Sequence, residues 1–258
     1  TTRCRCQTRR NLVPCADTRC TPVTATGLTI LIRLMALLVL ITTSPVYAGE
    51  TLRIAVAANF RHVLEQASEG FMAHTGHKVV LSSASTGILY TQIRYGAPFD
   101  LYFAADQATP ARLQTDSRST FCYARGRLVL VGGEGDLQAL SDPDLSLAIA
   151  NPMTAPYGRA ASEVLERPEF LSGKPRKLLT GSNVIQAYQF WHSGGADLAL
   201  VPRSLALEAT MVPASWHQAI EQHAIALRGG AAVEAYLNWI NSDTVRALIN
   251  DAGYESCP

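Results

Sequence analysis

Four short stretches of this 258-residue chain place small, hydroxyl or amide side chains where an apolar strand-like run gives way to a helical pattern. Leu52–Ala57 leads into Ala58-Asn59-Phe60, and Lys78–Ser82 into Ser83-Ala84-Ser85-Thr86-Gly87. Ser146–Ala150 leads into the segment from Asn151 to Gly158, and Lys177–Thr180 into Gly181-Ser182-Asn183-Val184. The first N–H groups of a helix lack intrahelical acceptors and carry partial positive charge. Several such ends aimed at one point bind an anion without lysine or arginine. Any one junction reads more readily as ordinary N-capping, which selects the same residue types. Four together point to a shared site, and in open α/β sheets that site lies beyond the carboxyl ends of the strands.

Other chemistries find less support. No G-x-S-x-G nucleophile motif occurs, and nothing in the spacing of Ser85, His62 and Asp106 makes them a triad. His74 and His77 flank Gly76 at an expected helix end without a nearby third ligand for zinc. Trp191, Trp216 and Trp239 are dispersed, which suits packing better than sugar stacking. Asp100 and Asp106 read as structural, Asp106 as the cap of a helix that Pro110 helps to start. The expectation is a binding protein and not an enzyme, with a secreted α/β hydrolase as the out-of-class alternative.

The elements that must position these junctions alternate. Besides the runs above, strand candidates are Leu101–Ala104, Leu128–Val131, Leu198–Val201 and Ala224–Leu227. Phe60, Val63, Leu64, Ala67 and Phe71 mark one face of a helix that Gly76 can end. Further helices are expected from Gly87, after Thr109-Pro110, and over Ala160–Arg167, Val184–His192, Ala231–Ile240 and Thr244–Asn250. Repeated βαβ units imply mostly parallel sheets with helices on both faces. About 210 residues suit two lobes better than one sheet.

Charge and cysteine usage divide the chain. Of 22 basic and 21 acidic groups, residues 1–48 hold six basic and one acidic, leaving residues 49–258 a net charge of −4. That body lacks the basic excess a nucleic-acid binder needs. Residues 28–43, LTILIRLMALLVLITT, followed by SPVYA, have the basic flank, apolar core and small-residue exit of a secretory signal. Residues 1–48 are therefore expected to be a targeting segment, the alternative being a membrane anchor. Four of the six cysteines fall there; Cys122 and Cys257 remain to an exported body, where one disulfide or two free thiols are both open.

The stretches AVAANF (Ala55–Phe60), SSASTG (Ser82–Gly87), GAPFDLYFAADQ (Gly96–Gln107), ANPMTAPYG (Ala150–Gly158) and GSNVIQA (Gly181–Ala187) resemble the periplasmic molybdate-binding proteins of ABC transporters. The resemblance runs in order over residues 50–258. It implies a two-lobed type II periplasmic binding protein fold, with each lobe a mostly parallel sheet flanked by helices and two segments crossing between them, near Arg127–Val131 and His223–Leu227. Residues 50–127 plus 225–258 would form lobe one and 128–224 lobe two. It also implies a monomer that holds molybdate or tungstate, needs no cofactor, and delivers its ligand to a membrane permease. Sulfate or phosphate is the alternative oxyanion. Carried over motif by motif, the ligand set is Asn59, Ser85, Thr86, Tyr157 and Val184, with molybdenum present only inside the bound oxyanion. Val184 would give its main-chain N–H, and Tyr157 its hydroxyl, its N–H or both. Where one branch of the family adds a tyrosine, LALVPRSLA offers Pro202.

Overall fold

The computed structural model describes residues 49–257 except 116–117 and 172–173; the expected targeting segment, with Cys4, Cys6, Cys15 and Cys20, lies outside the described residues. Among the described residues ten strands form two five-stranded sheets. The first contains β1 (Thr51–Ala57), β2 (Lys78–Ala84), β3 (Leu101–Phe103), β4 (Thr120–Gly126) and β10 (Ile220–Ala226), in the order β2-β1-β3-β10-β4. The second contains β5 (Leu128–Val131), β6 (Leu147–Ala150), β7 (Leu178–Gly181), β8 (Leu198–Pro202) and β9 (Thr210–Met211), in the order β7-β6-β8-β5-β9.

Each sheet has one reversed strand. β10 runs antiparallel to β3 and β4, and β5 runs antiparallel to β8 and β9, while β1–β2, β1–β3, β6–β7 and β6–β8 are parallel. The reversed strand is in both cases the first that the chain forms after entering that sheet from the other. The outward passage is at Arg127, between β4 and β5; the return lies between Met211 and Ile220. The return therefore precedes the segment expected from sequence, and the expected change of lobe at 224/225 falls inside β10. The physical reason is that β10 pairs over its length with β4, a strand with no clear apolar run in the sequence.

Among the described residues seven α-helices cover these sheets: α1 (Arg61–Thr75), α2 (Thr86–Arg94), α3 (Ala108–Ala111), α4 (Pro156–Leu165), α5 (Val184–His192), α6 (Ala231–Ile240) and α7 (Asp243–Asp251). In α1, Val63, Leu64, Ala67 and Phe71 are buried, as the spacing predicts, against Leu52, Ile54, Val56 and Tyr236. Gly76 ends the helix at φ +73°, its N–H bonded to the Met72 carbonyl, a left-handed turn that glycine adopts without strain. Helix α4 begins four residues before the expected Ala160. Its proline- and threonine-rich approach reads as loop, yet Pro156 occupies the first turn, where a missing N–H costs nothing. Around Pro110 the capping group is Asp106 rather than Thr109: Asp106 Oδ1 accepts from the Thr109 N–H at 2.9 Å. His74 and His77 are engaged separately, with the Gly70 carbonyl and the Glu50 N–H.

Cys122, in edge strand β4, is disulfide-bonded to Cys257 in the C-terminal tail. The tail runs beside β4, exchanging two main-chain hydrogen bonds between Arg125 and Glu255, whose carboxylate also pairs with Arg127 at 2.6 Å. The tail thus covers an edge that would otherwise present unpaired backbone groups.

Candidate functional site

Strand register brings the junctions level. Ala57 pairs with Ala84 in the first sheet and Ala150 with Gly181 in the second, so adjacent parallel strands end side by side and their helices start at one height. The four junctions meet in a small, tight cavity between the sheets, about 10 Å³, lined by Ala57, Ala58, Asn59, Ser85, Thr86, Ala105, Ala155, Pro156, Tyr157, Asn183 and Val184. All five residues singled out from sequence are in this lining. Ala105, from the end of β3, is a fifth contributor that sequence reasoning does not single out, because an alanine carries no chemical signal. Pro202 ends β8 and is not part of the lining.

No lining residue is charged, and the donors come from backbone and hydroxyl groups. Asn183 caps α5 by accepting from the N–H groups of Ile185 and Gln186, at 2.9 and 3.1 Å, so the first-turn N–H left open by that cap belongs to Val184. Tyr157 follows Pro156 in the first turn of α4, and its N–H is the first that this helix offers. Ser85 sits at the N-cap of α2 but makes no capping bond; its hydroxyl is buried without any hydrogen-bond partner. An orphaned buried hydroxyl is costly unless something else takes it up. Thr86 Oγ1 accepts from the Ala105 N–H at 3.0 Å, which leaves its own proton free to be donated.

Two side chains of the lining are bonded away from the cavity. Both Nδ2 protons of Asn59 are engaged, with Gln222 Oε1 at 2.8 Å and the Tyr254 hydroxyl at 3.1 Å, so what Asn59 can give the cavity is its first-turn N–H. The Tyr254 hydroxyl in turn donates to the Asn59 carbonyl at 2.7 Å. The Tyr157 hydroxyl accepts from Gln222 Nε2 at 3.2 Å and lies against Gly126, leaving no room for a Cβ there. Burial raises the pKa of both tyrosines, so the hydroxyls stay protonated at neutral pH.

The halves of the site also touch directly. The Gly87 N–H, from the first sheet's α2, donates to the Thr154 carbonyl of the second-sheet side at 2.8 Å. A Cβ at Gly87 would come within 3.2 Å of Thr154 main-chain atoms, so the close approach favours glycine. Arg159 of α4 pairs with Asp106 at 2.6 Å, across a wider cleft of about 570 Å³ that adjoins the cavity and shares Ala105 and Pro156 with it. Asp106 also accepts from the Thr109 hydroxyl, so the acid nearest the cavity is heavily compensated. The wider cleft carries Asp106, Arg159, Glu163 and Glu221; its mixed charge makes it the poorer home for an anion.

His223, beside this network in β10, is nearly buried and its Nδ1 lacks a partner. Desolvation lowers its pKa from 6.5, only partly opposed by Glu221 and Asp106. The unfolded chain therefore takes up a proton before the folded one does, so this contribution to stability is present above pH 6.5 and lost below it. Thermal melts are expected to be flat above about pH 7.5 and to fall as the pH drops below about 6.5. His223→Gln should flatten that fall; an unchanged slope would mean that another group carries it.

A cleft between two mixed α/β sheets, closed around a small neutral cage of donors, defines a type II periplasmic binding protein. The model of the family described as bacterial extracellular solute-binding protein matches residues 52–255, and the chain belongs to that family. It is 35% identical over 227 residues to the molybdate-binding protein ModA of Rhodobacter capsulatus, covering 81% of this chain and 90% of that protein. The solved periplasmic molybdate-binding protein of Azotobacter vinelandii superposes with a TM-score of 0.72 at 33% identity, over 80% of this chain and all of the other. The sulfate-binding protein SubI of Mycobacterium tuberculosis H37Rv shares the fold, with a TM-score of 0.64 at 14% identity, over 80% of this chain and 86% of the other.

Proposed function

We propose that this protein captures molybdate or tungstate in the periplasm and hands it to the membrane permease of an ABC importer, working as a monomer exported by its N-terminal segment. The observation that carries the reading is the convergence of Asn59, Ser85, Thr86, Tyr157 and Val184 on one uncharged cavity. The 35% identity to the Rhodobacter capsulatus molybdate-binding protein supports the same ligand. A tetrahedral dianion entering this cavity loses its water and gains main-chain N–H and hydroxyl donors already oriented by four helix starts. Hydrogen bonds to a charged group are worth about 1.5–3 kcal/mol each, so a few replace hydration. Neutral donors fixed on two sheets select by size, which separates molybdate from sulfate. They also disfavour a protonated phosphate, whose proton needs an acceptor.

Calorimetry on residues 49–258 with molybdate, tungstate, sulfate and phosphate tests this directly. Molybdate and tungstate are expected to bind with similar affinity, and sulfate at least about 100-fold more weakly, a difference of roughly 2.7 kcal/mol. Equal affinity for sulfate or phosphate would reassign the ligand.

A further inference from the structure

Gln222 touches no part of the cavity, yet it joins residues from both of its sides. Its Oε1 accepts from Asn59 Nδ2 at 2.8 Å and from the Tyr123 hydroxyl at 3.0 Å. Its Nε2 donates to the Tyr157 hydroxyl at 3.2 Å. Asn59 belongs to the first-sheet side of the site and Tyr157, on α4, to the second. Gln222 itself is fully buried in β10, the strand by which the chain re-enters the first sheet. The β10–β4 register shifts between Gln222 and His223. Such an irregularity re-aims a side chain locally and is common beside functional sites. Here it accompanies a buried amide, a residue type seldom placed in a sheet interior unless fully paired.

We propose that Gln222 is a positioning residue for the oxyanion site. It sets the Asn59 and Tyr157 main chains at their closed-state separation and so determines how long the anion stays bound. The amide suits this task because it accepts on one side and donates on the other. Asn59 reaches it through the amide nitrogen of its side chain, which also donates to the Tyr254 hydroxyl, and the Tyr157 hydroxyl faces a donor. Neither a carboxylate nor an aliphatic side chain offers both polarities. A bridge made of protein groups alone, joining the two sides of the site, favours the closed form over the open one.

This inference rests on the oxyanion reading above, and the experiment separates the two. Gln222→Leu and Tyr157→Phe are made singly and together in the whole chain, and stopped-flow measurements give kon and koff for sodium molybdate. Tyr157→Phe keeps the N–H that faces the cavity and removes only the bridge. It is expected to raise koff about two- to tenfold with kon nearly unchanged. Gln222→Leu is expected to raise koff by about tenfold or more, and the double variant by less than the product of the single effects. Small-angle scattering of the ligand-free proteins should show a larger radius of gyration for both single variants than for the parent. Should Gln222→Leu not fold, Tyr157→Phe carries the test alone. Lower melting temperatures with parental koff and parental dimensions would overturn the proposal. A parent that does not bind molybdate would refute the oxyanion reading, while the scattering comparison still decides the role of Gln222.

Discussion

Replacing Ser85 with alanine is expected to weaken molybdate binding by roughly ten- to a hundredfold, the loss of one hydrogen bond to a charged group at about 1.5–3 kcal/mol. The same substitution should leave the melting temperature of the ligand-free protein unchanged or raise it. The two effects part because the Ser85 hydroxyl is buried with no hydrogen-bond partner among the protein's own groups. Removing a satisfied hydroxyl destabilises a fold; removing an unsatisfied one does not. Ser85 also makes no side-chain cap on α2, so alanine costs that helix no capping bond. Calorimetric titration together with differential scanning calorimetry checks both halves. Parental affinity would remove Ser85 from the ligand set, and a lowered melting temperature would show that the hydroxyl serves the fold.

Removing the disulfide with Cys122→Ser and Cys257→Ser is expected to lower stability by roughly 2–5 kcal/mol. For a body of this size that corresponds to a melting temperature lower by roughly 4–20 °C. The cysteines are 135 residues apart, so the bond closes a loop that contains the whole second sheet and removes much freedom from the unfolded chain. It also has a local task. Tyr254, three residues before Cys257, clasps Asn59 through its hydroxyl, and Glu255 anchors the tail to Arg125 and Arg127. A modest weakening of molybdate binding should therefore accompany the loss of stability. Thermal melts with and without reductant provide an independent check. If the serine variant melts at the parental temperature, the tail is held by its hydrogen bonds alone.

What the sequence discloses and what it hides follow from the range of the interactions. N-cap chemistry is local, so the turns at Ala58-Asn59, Ser85-Thr86, Pro156-Tyr157 and Asn183-Val184 are legible from a few residues each. The face of α1 is legible for the same reason, since helical spacing records burial directly. Strand β4, TFCYARG, is not: it is a partly exposed edge strand whose alternation is too weak to stand out. Overlooking it moves the apparent return crossing into β10. The Asn59–Gln222–Tyr157 bridge leaves no trace in the sequence, because its members lie 163 and 65 residues apart. The motif resemblance finds Asn59 and Tyr157 but not the buried amide of Gln222 that joins their side chains.

The Gly87–Thr154 hydrogen bond crosses the cleft between main-chain groups that approach closely because residue 87 has no Cβ. It breaks only when the two sheets separate, and then the Gly87 amide meets solvent. Its deuterium uptake is thus a clock for opening, running fast when the cleft gapes and slowing in proportion to anion occupancy. A single resonance followed in heavy water would read the open fraction of the protein without any label, dye or ligand signal.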